Sequence, residues 1–160
     1  MIALVSACLA GLPTRYDGSD RLREGVLEAL EAAGYAWIPV CPEQLGGLPT
    51  PRPPCWLRGG DGRDAWAGRA AVVSAGGEDL SGAFLGGARA VAALARRTGA
   101  RLAVLEEGSP SCGVHRVHVD GRETAGRGVT AAALEEIGVQ VLAPDEIETR
   151  GQAPARPAAP

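Results

Sequence analysis

The chain opens on an apolar run, Ile2 to Ser6, that no charged residue interrupts, and it reads as a buried strand. A loop marked by Gly11, Pro13 and Gly18 follows. Leu22, Val26, Leu27 and Leu30 then recur at helical spacing. They predict a helix over Arg21 to Ala33, capped by Ser19 or Asp20 and stopped by Gly34. Tyr35 to Val40 reads as a second strand. The next stretch, CPEQLGGLPTPRPPCWLRGGDGRD from Cys41 to Asp64, is too rich in proline and glycine for a regular element. An irregular segment of that length inside a compact domain is usually functional or disordered. Arg69 to Ser74 is a third strand, ended by Gly76-Gly77. Leu80, Phe84, Leu85, Val91, Leu94 and Ala95 supply the apolar face of a helix that starts at Asp79 or Ser81 and reaches Thr98. Arg101 to Leu105 is a strand, and GSPSCG makes a sharp loop. Val114 to Val119 alternates like a hairpin arm with Asp120-Gly121 as its turn. A helix over Val129 to Ile137 and a strand over Val139 to Leu142 complete the pattern.

Strands that alternate with helices in this way predict an α/β fold. The expected architecture is a three-layer, Rossmann-like domain with a mainly parallel sheet. Residues 1–150 form a single domain. The Pro/Ala-rich end, GQAPARPAAP at 151–160, reads as a disordered tail.

Composition narrows the function. The chain has 160 residues, close to one domain's worth, and a formal net charge of −3, which gives no electrostatic footprint for nucleic acid. No apolar run approaches the roughly 18–20 residues of a membrane span. The N-terminus lacks the basic n-region of a secretory signal. Four cysteines are too few for a disulfide-stapled scaffold, so they read as thiols or metal ligands in a reducing cytoplasm. All 16 basic residues are arginine. The expected partner is therefore a small molecule rather than nucleic acid or a membrane, and nothing in the pattern specifies an oligomeric state.

The placement of the cysteines carries the chemistry. Cys8 follows the first strand by two residues, Cys41 follows the second directly, and Cys112 lies a few residues past the strand that ends near Leu105. In a parallel sheet these loops emerge at one edge, outside the carboxyl ends of the strands, where ligands of such folds bind. Free cysteine is often simply a small buried hydrophobe. Three at equivalent loop positions, each beside Gly, Pro or Ser, point instead to a shared site. Zinc and iron–sulfur clusters both take thiolates, and three protein ligands leave one position open. Cys55 is a possible fourth ligand, but it follows no predicted strand.

VSACLAG at 5–11, RYDG at 15–18, CPEQLGGLPTPRPP at 41–54, GGDG at 59–62, SPSCG at 109–113 and GVTAA at 128–132 occur together and in order. This set resembles the family once called DUF523, associated with thiouracil desulfurase, over about residues 2 to 145. The resemblance implies a [4Fe–4S] cluster with three cysteine ligands, here Cys8, Cys41 and Cys112, and one open iron. It implies removal of sulfur from a thiolated pyrimidine such as 2-thiouracil: the sulfur passes to the open iron, water completes the carbonyl, and there is no net redox change. It also implies catalytic roles for the carboxylate of the CPE motif and a serine of SPSC, here Glu43 and Ser109. The chain departs from the family pattern where many members carry a lysine shortly before SPSCG. Glu106-Glu107-Gly108 stands there instead, and the segment Val114 to Arg127 is short.

Glu43, two residues from a cysteine ligand, suits a group that moves protons at the site. Ser109 or Ser111 can orient water or bond a ring atom, or can satisfy the backbone of its own turn. Arg15, Asp17, Arg52 and Ser111 are the expected substrate-binding residues; an arginine suits a carbonyl, an anionic ring or the departing hydrosulfide. His115 and His118 read as solvated or supporting, and Trp37, Trp56 and Trp66 as core or pocket wall. Two rival readings use the same ligands: a zinc-dependent hydrolase, and a carrier that hands on sulfur or clusters without turnover.

Overall fold

The structure, a computed structural model, describes residues 1–151. The first sheet contains β1 (Ile2–Ser6), β2 (Ala36–Val40), β5 (Leu102–Val104) and β8 (Gln140–Leu142), in the order β2-β1-β5-β8. Every pairing in it is parallel. β1 and β5 are buried on both faces, which is why they appear in the sequence as unbroken apolar runs. Ala3, Val5, Leu102 and Val104 face a core closed by Val26 and Leu30 of α1 (Glu24–Ala32) and Ile147 of α6 (Pro144–Gly151). Leu4 and Ala103 face the opposite core, with Val91 and Ala95 of α4 (Ser81–Thr98) and Leu134 of α5 (Val129–Glu136). These are the expected three layers.

A second sheet lies beyond them. β3 (Cys55–Arg58), β4 (Ala71–Ser74), β6 (Arg116–Val119) and β7 (Arg122–Ala125) run in the order β4-β3-β6-β7. The pairings β3–β4 and β6–β7 are antiparallel and β3–β6 is parallel. Leu57, Val72 and Val117 of this sheet pack on Phe84 and Ala88 of α4, Val129 and Ala133 of α5, and Ala65 of α3 (Gly62–Trp66). Helices α4 and α5 are thus covered on two sides. Val129 to Leu134 are all buried, and the Ala-rich composition of α5 follows from that confinement.

The Cys41–Asp64 stretch, expected to be irregular, holds α2 (Pro42–Leu45), β3 and α3. Each is only four or five residues long and bounded by Pro or Gly, too short to register a period. The strand expected over Arg69 to Ser74 exists as β4 but belongs to the second sheet. The helix expected from Arg21 begins at Glu24, because the Arg21 and Arg23 amides bond to the Cys8 and Leu9 carbonyls at 2.9 and 3.0 Å. The hairpin turn holds: Asp120 and Gly121 both have positive φ, +50° and +77°, as a tight hairpin requires. From residue 152 onward, the expected tail lies outside the described residues. Among the described residues no helix is long and apolar enough to cross a membrane.

Helix α2 rests on α4 backbone to backbone. A Cβ on Gly87 would fall within the van der Waals radius of the Pro42 carbonyl oxygen, and one on Gly46 would meet the Ala83 carbonyl oxygen. Gly86, the next residue along α4, faces open space. Opposite outcomes are therefore expected from neighbouring substitutions. Gly87→Ala should destabilise the fold by about 1–3 kcal/mol through overpacking. Gly86→Ala should stabilise it by up to about 1 kcal/mol through helix propensity. Denaturant unfolding of the two variants checks both signs.

Candidate active site

The carboxyl ends of β2, β1 and β5 open on one cavity of about 560 Å³. Cys8 sits in a single 3-10 turn, Ala7–Ala10, directly after β1. Cys41 caps α2 directly after β2. Cys112 lies in the loop after β5. All three line the cavity, together with Cys55, Glu43, Ser109, Ser111, Arg15 and Arg52. None of the four cysteines is in a disulfide.

The thiols differ in setting. Burial, then the Glu106 carboxylate and the Cys41 thiol, push Cys8 up to about 12, against an opposing pull from Arg15. Burial raises the Cys112 thiol further still, outweighing hydrogen bonds from Ser6 and Ser111. In both cases desolvation disfavours the thiolate. Cys8, Cys41 and Cys112 lie near enough for charge on one to act on another. Cys55, the first residue of β3, is raised to about 11 by burial and then by Glu43, with Arg52 and Glu78 the other charges acting on it. Cys55 thus lines the same cavity with Glu43 and Arg52 acting on it.

Glu43 is the centre of a hydrogen-bonded line. Its Oε2 accepts Nε–H of Arg52 at 2.5 Å, and its Oε1 accepts the Ser111 hydroxyl at 3.1 Å. Ser111 and Ser109 hydroxyls are 2.9 Å apart. An ionised carboxylate only accepts, so the Ser111 proton goes to Glu43 and the Ser109 proton goes to Ser111. Ser109 Oγ in turn accepts the amides of Ser111 and Cys112 at 3.2 and 3.1 Å. The line therefore runs from the Cys112 amide through both serines to Glu43.

The loop bearing Cys112 is set by α5. The Val129 amide bonds to the Pro110 carbonyl at 2.9 Å and the Thr130 amide to the Ser111 carbonyl at 2.8 Å, so donors left free at the helix start are satisfied by the loop. A Cβ on Gly128 would strike the Ser111–Cys112 peptide.

The expected substrate residues divide. Arg15 lines the cavity and is in no ion pair among the described residues. Asp17 does not line it: this exposed carboxylate closes its own turn, accepting the Ser19 amide at 3.0 Å and hydroxyl at 2.5 Å, bonds that also hold its pKa below the usual range. Ser111 is bonded to Glu43 rather than left open to a ligand. Arg52 is bonded almost wholly within the protein. Glu107 spends its carboxylate on the amides of Val114, His115 and Arg116. Glu106 and Gly121 line the cavity, as do Trp56, expected as core or pocket wall, and His118, expected as solvated or supporting. For His118 the signal was its place two residues before the hairpin turn. Its Nδ1 lies 3.4 Å from the Gly108 carbonyl, on the loop that leads to Ser109.

Known proteins share this arrangement of sequence and fold. The Bacillus subtilis (strain 168) protein YbbK, described as uncharacterized, is 37% identical over 147 residues, which cover 90% of this chain and 96% of YbbK. A solved structure of TudS, described as a [4Fe-4S]-dependent thiouracil desulfidase, superposes with a TM-score of 0.77 at 41% identity, over 90% of this chain and 91% of that one. The family model described as 2-thiouracil desulfurase matches residues 3–146, nearly all of the described fold, and the chain belongs to that family of enzymes.

Proposed function

We propose that this chain removes sulfur from a thiolated pyrimidine of the 2-thiouracil kind at a [4Fe–4S] cluster held by Cys8, Cys41 and Cys112. The observation that carries the reading is the convergence of these thiols, each from a different parallel strand, on one cavity walled by Glu43. The donor set fits a cluster. A cluster binds each thiolate at a different iron, so the sulfurs need not close on one point. A single zinc draws its thiolates to within about 2.3 Å of one centre. Among the described residues no three His, Cys, Asp or Glu side chains are gathered in that way. The description of TudS as [4Fe-4S]-dependent supports the same cofactor. Four free thiols suit a reducing, cytoplasmic setting.

When bound, the cluster supplies an iron without a protein ligand, a Lewis acid with affinity for the departing sulfur. The exchange of a thiocarbonyl and water for a carbonyl and hydrogen sulfide balances without electrons. Glu43 takes the proton from the water that provides the new oxygen, while Arg52 and Ser111 hold its two oxygens in place. Ser109 and Ser111 form the donor line behind it and keep the Cys112 loop closed. Arg15, a cavity cation without an ion pair among the described residues, faces the ring carbonyl or the anionic sulfur. Asp17, outside the cavity, has no part in substrate binding.

Anaerobic reconstitution with iron and sulfide should give a brown protein with about four irons and four sulfides per chain. Cys8→Ala, Cys41→Ala and Cys112→Ala should each lose it, and Cys55→Ala should keep it. Loss from Cys55→Ala alone, or one zinc per chain without sulfide, overturns the ligand assignment. The loaded protein should release uracil and sulfide from 2-thiouracil with multiple turnovers; a cluster without turnover leaves a carrier. Glu43→Gln should retain the cluster while kcat falls by about 100-fold or more, the scale of lost acid–base catalysis.

A further inference from the structure

We propose that Arg52 is a positioning residue that acts through Glu43 and not on substrate. The inference rests on the reading that Glu43 works in the reaction. Arg52 is one of the few charged side chains buried in this fold, with only 4% of its side chain exposed. Its guanidinium is divided among fixed partners. Nε–H goes to Glu43 Oε2 at 2.5 Å. Nη1 donates to the Pro49 carbonyl at 3.2 Å and to Thr50 Oγ1 at 2.9 Å. Nη2 donates to the Thr14 carbonyl at 2.9 Å. Four of the five N–H groups are thereby committed inside the protein, and a single one remains.

These partners lie on different loops. Thr14 belongs to the loop that follows Cys8, and its carbonyl also receives the Cys41 thiol at 3.8 Å. The Arg52 amide bonds to the Tyr16 carbonyl at 2.7 Å. Glu43 belongs to the helix that follows Cys41 and reaches Ser111, beside Cys112. One line of bonds, Thr14–Arg52–Glu43–Ser111, thus crosses the loops of all three thiols. Its middle link fixes the Glu43 rotamer. Without Arg52, Ser111 alone would hold a carboxylate on a flexible stem. A lysine cannot substitute: its ammonium gathers three N–H groups at one point and cannot span partners that the planar fork reaches separately.

The test is a double-mutant cycle on enzyme loaded with cluster, with iron and sulfide measured in every variant. Arg52→Gln should lower kcat for 2-thiouracil by about 10- to 100-fold, the scale expected when a reacting group is misplaced by an ångström. KM should stay within about threefold and the cluster should be retained. In the Glu43→Gln background the same change should add nothing. Added guanidinium ion should restore part of the activity of Arg52→Ala. Crystals of Arg52→Gln should show Glu43 released from Ser111, a readout independent of turnover. If Arg52→Gln does not fold, Arg52→Lys goes through the same cycle, with the same non-additivity expected. A raised KM at unchanged kcat would mean direct substrate binding and overturn the proposal. So would losses that add in the double variant, or loss of the cluster from Arg52→Gln. A Glu43→Gln enzyme as fast as the parent would instead remove the reading beneath it, which separates the two failures.

Discussion

The site depends on backbone packed against backbone. Three thiol loops rise from adjacent strands only a few ångströms apart, and each must be held without side chains filling the space between them. Glycine makes that possible. Gly46 and Gly87 let α2, which follows Cys41, touch α4. Gly128 lets the start of α5 touch the Ser111–Cys112 peptide, and Gly62 lets α3 touch Gly128 in turn. A Cβ at any of these positions would occupy space already filled by a carbonyl or an amide. The contact from Gly128 does two jobs at once. It brings the free amides at the head of α5 onto the Pro110 and Ser111 carbonyls, so the helix start and the thiol loop satisfy each other.

That constraint explains the motif glycines better than proximity to a cofactor does. Gly46 has φ −81°, an ordinary helical value, so it needs glycine for contact and not for conformation. Gly113 is crowded by the Arg116 and Ser109 carbonyls of its own loop. Gly47, with φ +92°, and Gly59, with φ +80°, are held instead by conformation, in the left-handed region that favours glycine. The motifs GGDG, SPSCG and GVTAA are far apart in sequence because they are stacked in space, each forming part of the surface on which the next one rests.

Much of the first sheet was legible because buried parallel strands leave unbroken apolar runs, as in β1, and because α4 is long enough to show its period. Topology alone then brought Cys8, Cys41 and Cys112 to one edge. The second sheet was legible only in part: β4, β6 and the turn after β6 leave a signal, but β3 does not. β3 is four residues between Pro53-Pro54 and Gly59-Gly60, with Leu57 its one fully buried residue. A four-residue strand with Cys55 only partly buried beside Leu57 shows too little alternation to read. Asp17 closes its own turn, and a carboxylate in that use has the same sequence surroundings as one that faces a ligand. Arg52, expected to bind substrate, lines the cavity, but its partners were not foreseeable, since Thr14, Pro49 and Glu43 reach it only through the folded path of the loops.

The pair Glu106-Glu107 has separable roles once its bonds are known. Glu107 is structural: both carboxylate oxygens serve consecutive amides entering β6, a use open to a carboxylate and closed to a lysine. Glu106 is the charge that faces the cavity. It bonds the Glu107 amide at 2.9 Å through one oxygen and adds to the upward pressure on Cys8. The opposing positive charge comes from the other rim, where Arg15 and Arg21 line the same cavity and neither is ion-paired among the described residues. The positive charge comes from the loop after Cys8 and the negative charge from the loop before Cys112. The cavity is thus lined by charges of both signs, which set the potential that any ligand meets on entering.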